Sequence, residues 1–291
     1  MATLQEWWQG ARPRTLPAAV APVLVGSAAA AAADGFVAER AALALAVALA
    51  LQVGVNYAND YSDGVRGTDA DRVGPLRLVG SGAATPGQVR NAAVASFGVA
   101  AALGLVLVAL TGQWWLLAVG GLAVVAAWGY TGGASPYGYR GLGEVAVFVF
   151  FGLVATVGTT YVQTLEVTTA SVLGGVAVGS LATAILVVNN LRDIPTDRAS
   201  GKRTLAVRLG DRWTRRLFLL LVALAYATTA AIAVYGYPRA LLGWLSLPWA
   251  MQAVTPVERG ATGQALIPAL TNTGRAELWL AVGLSVGLVL G

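Results

Sequence analysis

Two short segments of the chain carry amide and carboxylate side chains at helical spacing. In chain order these are Asn56, Asn59, Asp60 and Asp63 in the first segment, and Asn189, Asp193 and Asp197 in the second. In each segment an Asn precedes an Asp by four residues, which places both side chains on one helix face. Asp193 and Asp197 repel each other at this spacing unless a cation lies between them. Because Mg²⁺ prefers oxygen ligands and completes its shell with water and phosphate oxygens, the two segments predict a shared Mg²⁺ site.

Basic residues accompany both acidic segments. Lys202 and Arg203 follow Asp197 directly after a glycine, and Arg66 and Arg77 follow the first segment. Lys202 is the one lysine among 19 basic residues, which indicates that its position favours a compact ammonium group. Carboxylates, a divalent cation and basic side chains together predict a diphosphate site. A cation that neutralises the diphosphate makes it a better leaving group.

The composition is that of an integral membrane protein. The chain has 291 residues, of which 57% are hydrophobic and 11% are charged, whereas soluble domains contain about 25% charged residues. It contains no cysteine and no histidine. Disulfides, thiolate nucleophiles and histidine-based proton relays are therefore excluded, and acid–base work falls to carboxylates, Tyr, Lys, the substrate or water.

The elements that must position these residues are apolar runs close to the ~20 residues that span a bilayer. The runs are 15–33, 41–59, 92–111, 114–131, 144–163, 170–190, 214–235, 239–256 and 276–291. The first run lacks a cleavage pattern, so we interpret it as a retained helix and not as a signal peptide. The sequence predicts an all-α, polytopic membrane protein with nine transmembrane helices and a single domain over residues 1–291.

The distribution of positive charge predicts the orientation of these helices. With the N-terminus in the cytoplasm, the inner segments are the N-terminus and the loops near 60–91, 132–143, 191–213 and 257–275. All basic residues except Arg40 and Arg239 fall in or directly beside these segments, in agreement with the positive-inside rule. Both acidic segments then face the cytoplasm. We expect a multi-pass protein of the bacterial cell membrane, with a lipid bilayer around it, no nucleic acid and no obligatory protein partner.

The paired motifs after the second and sixth spans resemble those of the UbiA superfamily of intramembrane prenyltransferases. Four segments resemble its branch that prenylates 1,4-dihydroxy-2-naphthoate in menaquinone biosynthesis. They are Ala11–Pro17, Asn59–Gly67, Tyr137–Glu144 and Asn189–Gly210. The resemblance extends over nearly the whole chain and implies a UbiA-type helix bundle.

The resemblance also implies the reaction. A polyprenyl diphosphate is ionised with Mg²⁺ held by the acidic motifs, and an aromatic acceptor attacks the allylic cation, losing CO2 as demethylmenaquinol forms. The catalytic candidates are Asp60, Asp63, Asp193 and Asp197, with Asn56 and Asn59 as further metal ligands. The diphosphate candidates are Arg14, Arg66, Asn189, Lys202 and Arg203. The acceptor candidates are Arg77, Tyr139, Arg140 and Glu144.

Several assignments stay open at the level of sequence. The first motif can be read as Asn56/Asp60 or as Asn59/Asp63, and neither reading has an Asp four residues further on, although Asp69 follows nearby. Arg14, Arg66 and Arg77 also fit simple anchoring at the membrane surface. An ion pair between Arg140 and Glu144, one helical turn apart, would be a structural alternative to acceptor binding.

Two other functions fit part of the pattern. A secondary transporter for an anionic substrate also shows internal repeats and intramembrane acids, but its site lies near the bilayer midplane, whereas these acids lie at helix ends. Another UbiA-type enzyme would use 4-hydroxybenzoate, homogentisate, haem or a glycerol-phosphate lipid as acceptor. Release of diphosphate by isolated membranes discriminates enzyme from transporter.

Overall fold

The computed structural model describes residues 2–67 and 76–291, and these residues form helices and turns without β-strands. Asp69, which follows the first motif, lies outside the described residues. The helices are α1 (Leu4–Gly10), α2 (Pro17–Ala31), α3 (Ala38–Val65), α4 (Pro86–Thr111), α5 (Leu116–Gly129), α6 (Gly143–Val147), α7 (Ala155–Thr164), α8 (Thr169–Ala199), α9 (Leu205–Val234), α10 (Leu247–Glu258) and α11 (Ile267–Leu290). A π-helical segment, Phe148–Val154, joins α6 to α7.

The chain is a multi-pass membrane protein. Six helical segments of the described chain are long and apolar enough to cross a membrane, and the bent pair Leu4–Thr15 and Pro17–Ala31 raises the number to seven. Helix α5 is apolar but has 14 residues. The predicted run 239–256 begins as a 3₁₀ segment, Pro238–Ser246, and continues as the 12-residue α10. Each of the nine predicted runs thus overlaps a helical segment. Helices α5 and α10, however, are shorter than the ~20 residues that span a bilayer.

The two arginines that depart from the charge pattern both bind helix C-termini. Arg40 donates from Nη1 to the carbonyl of Val162 (3.0 Å) and from Nη2 to that of Leu110 (3.2 Å), near the ends of α7 and α4. Arg239 donates to the carbonyls of Leu290 and Gly291 at the end of α11. Because the last carbonyls of a helix lack partners within it and carry partial negative charge, a guanidinium stabilises them. These exceptions therefore have a structural cause.

The core is largest where α2, α8, α9 and α11 pack together, around buried residues such as Leu181, Phe218 and Leu284. The π-helical segment packs against α8 through glycines, since a Cβ on Gly152 would lie 2.6 Å from the Cα of Gly179. A smaller core around Tyr57, Leu78 and Phe97 joins α3, α4 and the chain between them. This packing holds the C-terminal ends of α3 and α8, where the two motifs lie.

Candidate active site

Both acidic motifs continue their apolar helices and end at one place in the bundle. Asp63 lies in the last turn of α3, and Asp197 lies near the end of α8. The turn Tyr137–Arg140 lies between these two helix ends. On the α8 side, the carbonyl of Tyr139 accepts a hydrogen bond from the backbone N–H of Arg203 (2.9 Å). The backbone N–H of Lys202 in turn donates to the carbonyl of Asp197 (2.9 Å). Residues more than a hundred positions apart thus form one site.

The turn that carries Tyr139 is held against the end of α5. The Tyr137 hydroxyl donates to the carbonyl of Ala126 (2.8 Å), and the N–H of Gly138 donates to that of Tyr130 (3.0 Å). A Cβ on Gly138 would lie 2.6 Å from the Tyr130 carbonyl oxygen, so this approach requires glycine. The position of Tyr139 is therefore fixed by its own turn and by α5.

Asp63 is the buried centre of the site. Its carboxylate accepts a hydrogen bond from the Tyr139 hydroxyl. Two cations approach it, with the Arg77 Nη2 and the Lys202 Nζ each 3.7 Å from a carboxylate oxygen. A carboxylate beside two basic side chains is the combination that a diphosphate bound with a divalent cation requires, and we call this group the cationic site.

The ring of Tyr139 supports two of the basic side chains. The Lys202 Nζ lies 4.5 Å from the ring centroid, and the Arg66 Cζ lies 5.4 Å from it. Arg66 also donates to the carbonyls of Thr131 and Gly133. Cation–π contacts position both cations, and the two carbonyls also hold Arg66.

Asp60 has a different environment from Asp63. It is fully buried, and its two oxygens accept from the backbone N–H groups of Leu78 (2.7 Å) and Val79 (3.1 Å). The Arg12 guanidinium is also within electrostatic reach. These bonds hold the chain that returns from the first loop against α3. Both carboxylate oxygens accept from backbone amides in this structure, and the role of Asp60 as a metal ligand stays a prediction.

The two amides of the first motif are likewise engaged. Asn56 donates from Nδ2 to the Ala11 carbonyl (2.9 Å) and to the Thr15 hydroxyl (3.0 Å), and so ties α3 to the segment before α2. The Oδ1 of Asn59 accepts from the Thr131 hydroxyl (2.7 Å), beside the main-chain carbonyls that bind Arg66. Of the two readings of the motif, Asn59/Asp63 is the one that lies at the cationic site.

The second motif separates its two carboxylates. Asp193 forms a bidentate pair with Arg192, with both N···O distances 2.7 Å. Asp197 is buried, and its Oδ2 accepts from the Thr204 hydroxyl (3.4 Å). Asn189, expected at the diphosphate, is half-buried on the same helix.

Glu144 is buried and accepts a hydrogen bond from the Nδ2 of Asn190 (2.9 Å). Arg140 is exposed, and the described residues contain no ion pair between Arg140 and Glu144. The structural alternative of an i, i+4 ion pair is therefore not realised. The acid lies in α6 directly after the turn that carries Tyr139, where it faces α8.

Three predicted arginines lie apart from this cluster. Arg14, Arg140 and Arg203 are exposed, and no side-chain ion pair or hydrogen bond joins them to Asp63 or Asp197 in the described structure. These arginines lie close to the motifs along the sequence, but their side chains lie on the surface of the described structure. Arg203 contributes through its backbone N–H instead.

Sequence reasoning also missed four residues around the site. They are Tyr130, Thr131, Asn190 and Thr204. Asn190 could have been identified from the sequence, since it adjoins Asn189 in the second motif. Thr131 and Thr204 contact their partners only through the tertiary fold, so no local pattern indicated them.

An apolar cavity of about 830 Å³ lies in the bundle beside the site. Its polar end includes Asn56, Asn59 and Tyr130, and Asn59 lies one helical turn before Asp63. The rest of the wall is almost entirely Ala, Gly, Val, Leu and Phe from α2–α5 and from the α6–α7 segment. Such a cavity fits an extended hydrocarbon chain whose charged head lies at Asp63.

The protein side chains at the site supply only part of the coordination shell of a hard cation such as Mg²⁺. In the described part of the chain, no three His, Cys, Asp or Glu side chains cluster closely enough to hold a metal ion. Asp63 and Asp197 nevertheless supply carboxylate oxygens at one site. This number of protein ligands suits Mg²⁺, which is commonly held by one or two carboxylates plus substrate phosphates and water.

Comparison with known proteins is consistent with this architecture. Residues 19–266 match the model of the UbiA prenyltransferase family. A 1,4-dihydroxy-2-naphthoate octaprenyltransferase of Mycobacterium tuberculosis is 52% identical, with 100% of this chain and 99% of that protein covered. The protein of the same name from Escherichia coli is 39% identical over 94% of this chain and 92% of its own length.

Solved structures share the fold at low sequence identity. A UbiA homolog from Archaeoglobus fulgidus bound to GPP and Mg²⁺ has a TM-score of 0.71 at 13% identity, covering 98% of this chain and 100% of that one. The apo structure of a UbiA homolog from Aeropyrum pernix K1 has a TM-score of 0.68 at 17% identity, covering 100% and 99%. The helical bundle is therefore common to all three chains.

Proposed function

Since the chain belongs to the UbiA prenyltransferase family, we propose that it transfers a polyprenyl group from polyprenyl diphosphate to 1,4-dihydroxy-2-naphthoate. The products are demethylmenaquinol, diphosphate and CO2, which is a step of menaquinone biosynthesis. The observation that carries the proposal is the cationic site around Asp63 at the polar end of a long apolar cavity. The naphthoate acceptor is supported by the full-length identity to octaprenyltransferases that bear that substrate in their names.

The reaction balances without a protein nucleophile. The allylic C–O bond of the donor breaks, and its electron pair leaves with the diphosphate. The electron-rich ring forms the new C–C bond at the carbon that bears the carboxylate. The electrons of the C–carboxylate bond restore aromaticity as CO2 departs. The protein therefore needs to stabilise the leaving group, hold the ring in place and exclude water.

Lys202 and Arg77 bind the diphosphate and acceptor anions in this proposal. Each lies 3.7 Å from an oxygen of Asp63, so both cations are next to the carboxylate that would hold Mg²⁺. We assign Lys202 and Arg66, which share the ring of Tyr139, to the diphosphate. Arg77, which lies near the other carboxylate oxygen of Asp63, is assigned to the acceptor carboxylate. Arg14, Arg140 and Arg203 are left out of the contact set because they are exposed.

Asp63 and Asp197 are the residues that would hold Mg²⁺, and Asn59 positions the Asp63 turn through Thr131. When bound, the ion neutralises charge that grows on the diphosphate as the C–O bond breaks. Asp193 is left out of this set because Arg192 engages both of its oxygens, and Asp60 is left out because it holds the chain at Leu78 and Val79. Support for the ion comes from the donor chemistry of these residues and from the fold shared with a homolog that binds GPP and Mg²⁺.

We assign the acceptor ring to the region beside Glu144 and Tyr139. Glu144 is buried and holds Asn190 by one oxygen, so its other oxygen can accept a hydrogen bond from an acceptor hydroxyl. A carboxylate has about four acceptor positions, so it has capacity for a further donor. The apolar cavity would keep water away from the allylic cation.

We further propose nine transmembrane spans, with the N-terminus and the site on the cytoplasmic side. The positive-inside distribution supports this orientation, and the helix-capping roles of Arg40 and Arg239 account for its two exceptions. In this arrangement α5 and the 3₁₀–α10 unit span as short segments. Cysteine labelling of Leu142→Cys and Leu165→Cys from either side of spheroplasts tests it, because the two positions lie at opposite ends of the α6–α7 segment.

Acceptor screening tests the proposed function. Isolated membranes receive Mg²⁺, a polyprenyl diphosphate and one acceptor each, and mass spectrometry identifies the prenylated product. We expect product with 1,4-dihydroxy-2-naphthoate and none above background with 4-hydroxybenzoate. Preference for 4-hydroxybenzoate would keep the family but reject the naphthoate assignment, whereas absence of diphosphate release with every acceptor would favour a transporter.

A further inference from the structure

Four glycines line the apolar cavity without any packing reason to be glycine. They are Gly104 in α4, Gly120 and Gly121 in α5, and Gly158 in α7. A Cβ built on any of them meets no other atom within 4 Å. The space that a side chain would occupy at these positions is open.

Glycines elsewhere in the bundle behave differently. A Cβ on Gly26 would lie 2.4 Å from the Thr156 carbonyl oxygen, and one on Gly283 would lie 2.4 Å from that of Leu242. These glycines permit close approach of helices, as small residues commonly do in membranes. Glycine inside a helix destabilises it relative to alanine, so glycines that permit no close approach need another explanation.

The four glycines lie far from the polar end of the cavity. Gly158 is 15 residues along the helical segment from Gly143, which corresponds to about 22 Å at the α-helical rise. Gly121 is nine residues from Tyr130, or about 14 Å. Helices α4 and α7, which carry Gly104 and Gly158, contact each other. The glycines thus widen the cavity in the half remote from Asp63.

We propose that these glycines keep the remote half of the cavity open for the distal isoprene units, and so set the longest prenyl chain that the protein accepts. The inference rests on the proposed function and adds the determinant of donor length. A short donor would not reach the glycines, whereas a long donor would pass them. Side chains at Gly104 or Gly158 would therefore select against long donors while leaving the chemistry at Asp63 intact.

A competition assay tests the proposal. The variants are Gly104→Leu and Gly158→Leu, and the control is Gly98→Leu. Gly98 is also in α4, has the same open space at its Cβ, is exposed and does not line the cavity. Purified protein receives equal concentrations of geranyl and octaprenyl diphosphate with the naphthoate acceptor, and the ratio of the two products is measured. This ratio does not depend on how much of each variant is folded.

We expect both cavity variants to lower the long-to-short product ratio at least about tenfold, as a pocket that loses space for apolar groups does. Gly98→Leu should keep the wild-type ratio. An unchanged ratio in both cavity variants, or an equal change in Gly98→Leu, would overturn the inference while the proposed function stands. A wild-type protein that prenylates the naphthoate with neither donor would reject both.

Discussion

The two aspartates of the first motif should respond differently to the same isosteric substitution. In Asp60→Asn one oxygen can still accept from Leu78 or Val79, but the new NH2 group faces the other N–H. The variant loses one charge-assisted bond of about 1.5–3 kcal/mol and leaves a buried donor unsatisfied at about 1–3 kcal/mol. Since part of this loss is shared, we expect the free energy of unfolding to fall by about 2–4 kcal/mol.

Asp63→Asn should lower turnover strongly, and because the buried carboxylate lies beside Arg77 and Lys202, it should lower stability as well. The carboxylate contacts the Tyr139 hydroxyl, Arg77 and Lys202, and an amide can still accept the hydroxyl. The lost negative charge, however, removes the group that would hold Mg²⁺. Loss of a main stabiliser of transition-state charge lowers kcat by about 10²–10³-fold.

Thermal unfolding in detergent and initial rates at saturating substrates measure the two effects separately. For Asp60→Asn we expect a clearly lower melting temperature, with kcat per folded molecule within about threefold of wild type. For Asp63→Asn we expect kcat per folded molecule to fall about 10²–10³-fold, whatever the change in melting temperature. If Asp60→Asn proves inactive at normal stability while Asp63→Asn turns over normally, the metal pair is Asn56/Asp60 and our assignment of the site is wrong.

Four further substitutions test individual contacts. Asp197→Asn should lower kcat by about two orders of magnitude at normal membrane levels, because it removes the carboxylate of the second motif at the site; near-normal turnover would exclude a metal role. Lys202→Gln should raise the Michaelis constant for the prenyl diphosphate about ten- to a hundredfold, from a loss of about 1.5–3 kcal/mol, and an effect confined to the acceptor would place Lys202 at the naphthoate instead. Tyr139→Phe keeps the ring under Lys202 but removes the hydroxyl from Asp63, so kcat should fall about tenfold with both Michaelis constants retained; a raised donor Michaelis constant alone would contradict this. Arg40→Ala removes the cap on α4 and α7 and should lower stability by about 1 kcal/mol with unchanged kinetics, whereas altered kinetics would assign Arg40 a role in catalysis.

The sequence predicted the all-α, multi-pass architecture well, because it depends on local patterns. Apolar runs and the spacing of Asn and Asp determine where helices lie and which face carries the polar groups. The expectation that Asn56–Asp63 continues an apolar helix is confirmed, since α3 extends to Val65. The family resemblance is confirmed as well.

The division of roles inside the first motif could not be predicted locally. One helix face carries Asn56, Asn59, Asp60 and Asp63. Helical periodicity therefore cannot distinguish their roles. What separates Asp60 from Asp63 is the chain at Leu78 and Val79, which folds back on one carboxylate and leaves the other to Tyr139 and Lys202. That contact forms only in the tertiary fold and has no local sequence pattern.

The number of spans shows a second limit of local reasoning. The run 239–256 is apolar enough to predict one helix, but it contains the 3₁₀ segment that leads into α10. Close approach to α11 through Gly283 and Gly287, whose neighbours are the carbonyls of Leu242 and Arg239, accompanies this irregular segment. Hydropathy reports burial in an apolar medium and does not report such packing.

Release of the acceptor carboxylate tests the central claim most directly. Purified protein would receive Mg²⁺, a polyprenyl diphosphate and 1,4-dihydroxy-2-naphthoate labelled in its carboxyl group. We expect labelled CO2 and prenylated quinol in equal amounts, because the allylic group adds at the carbon that bears the carboxylate and rearomatisation expels CO2. A prenylated product that retains the label would contradict the proposed reaction.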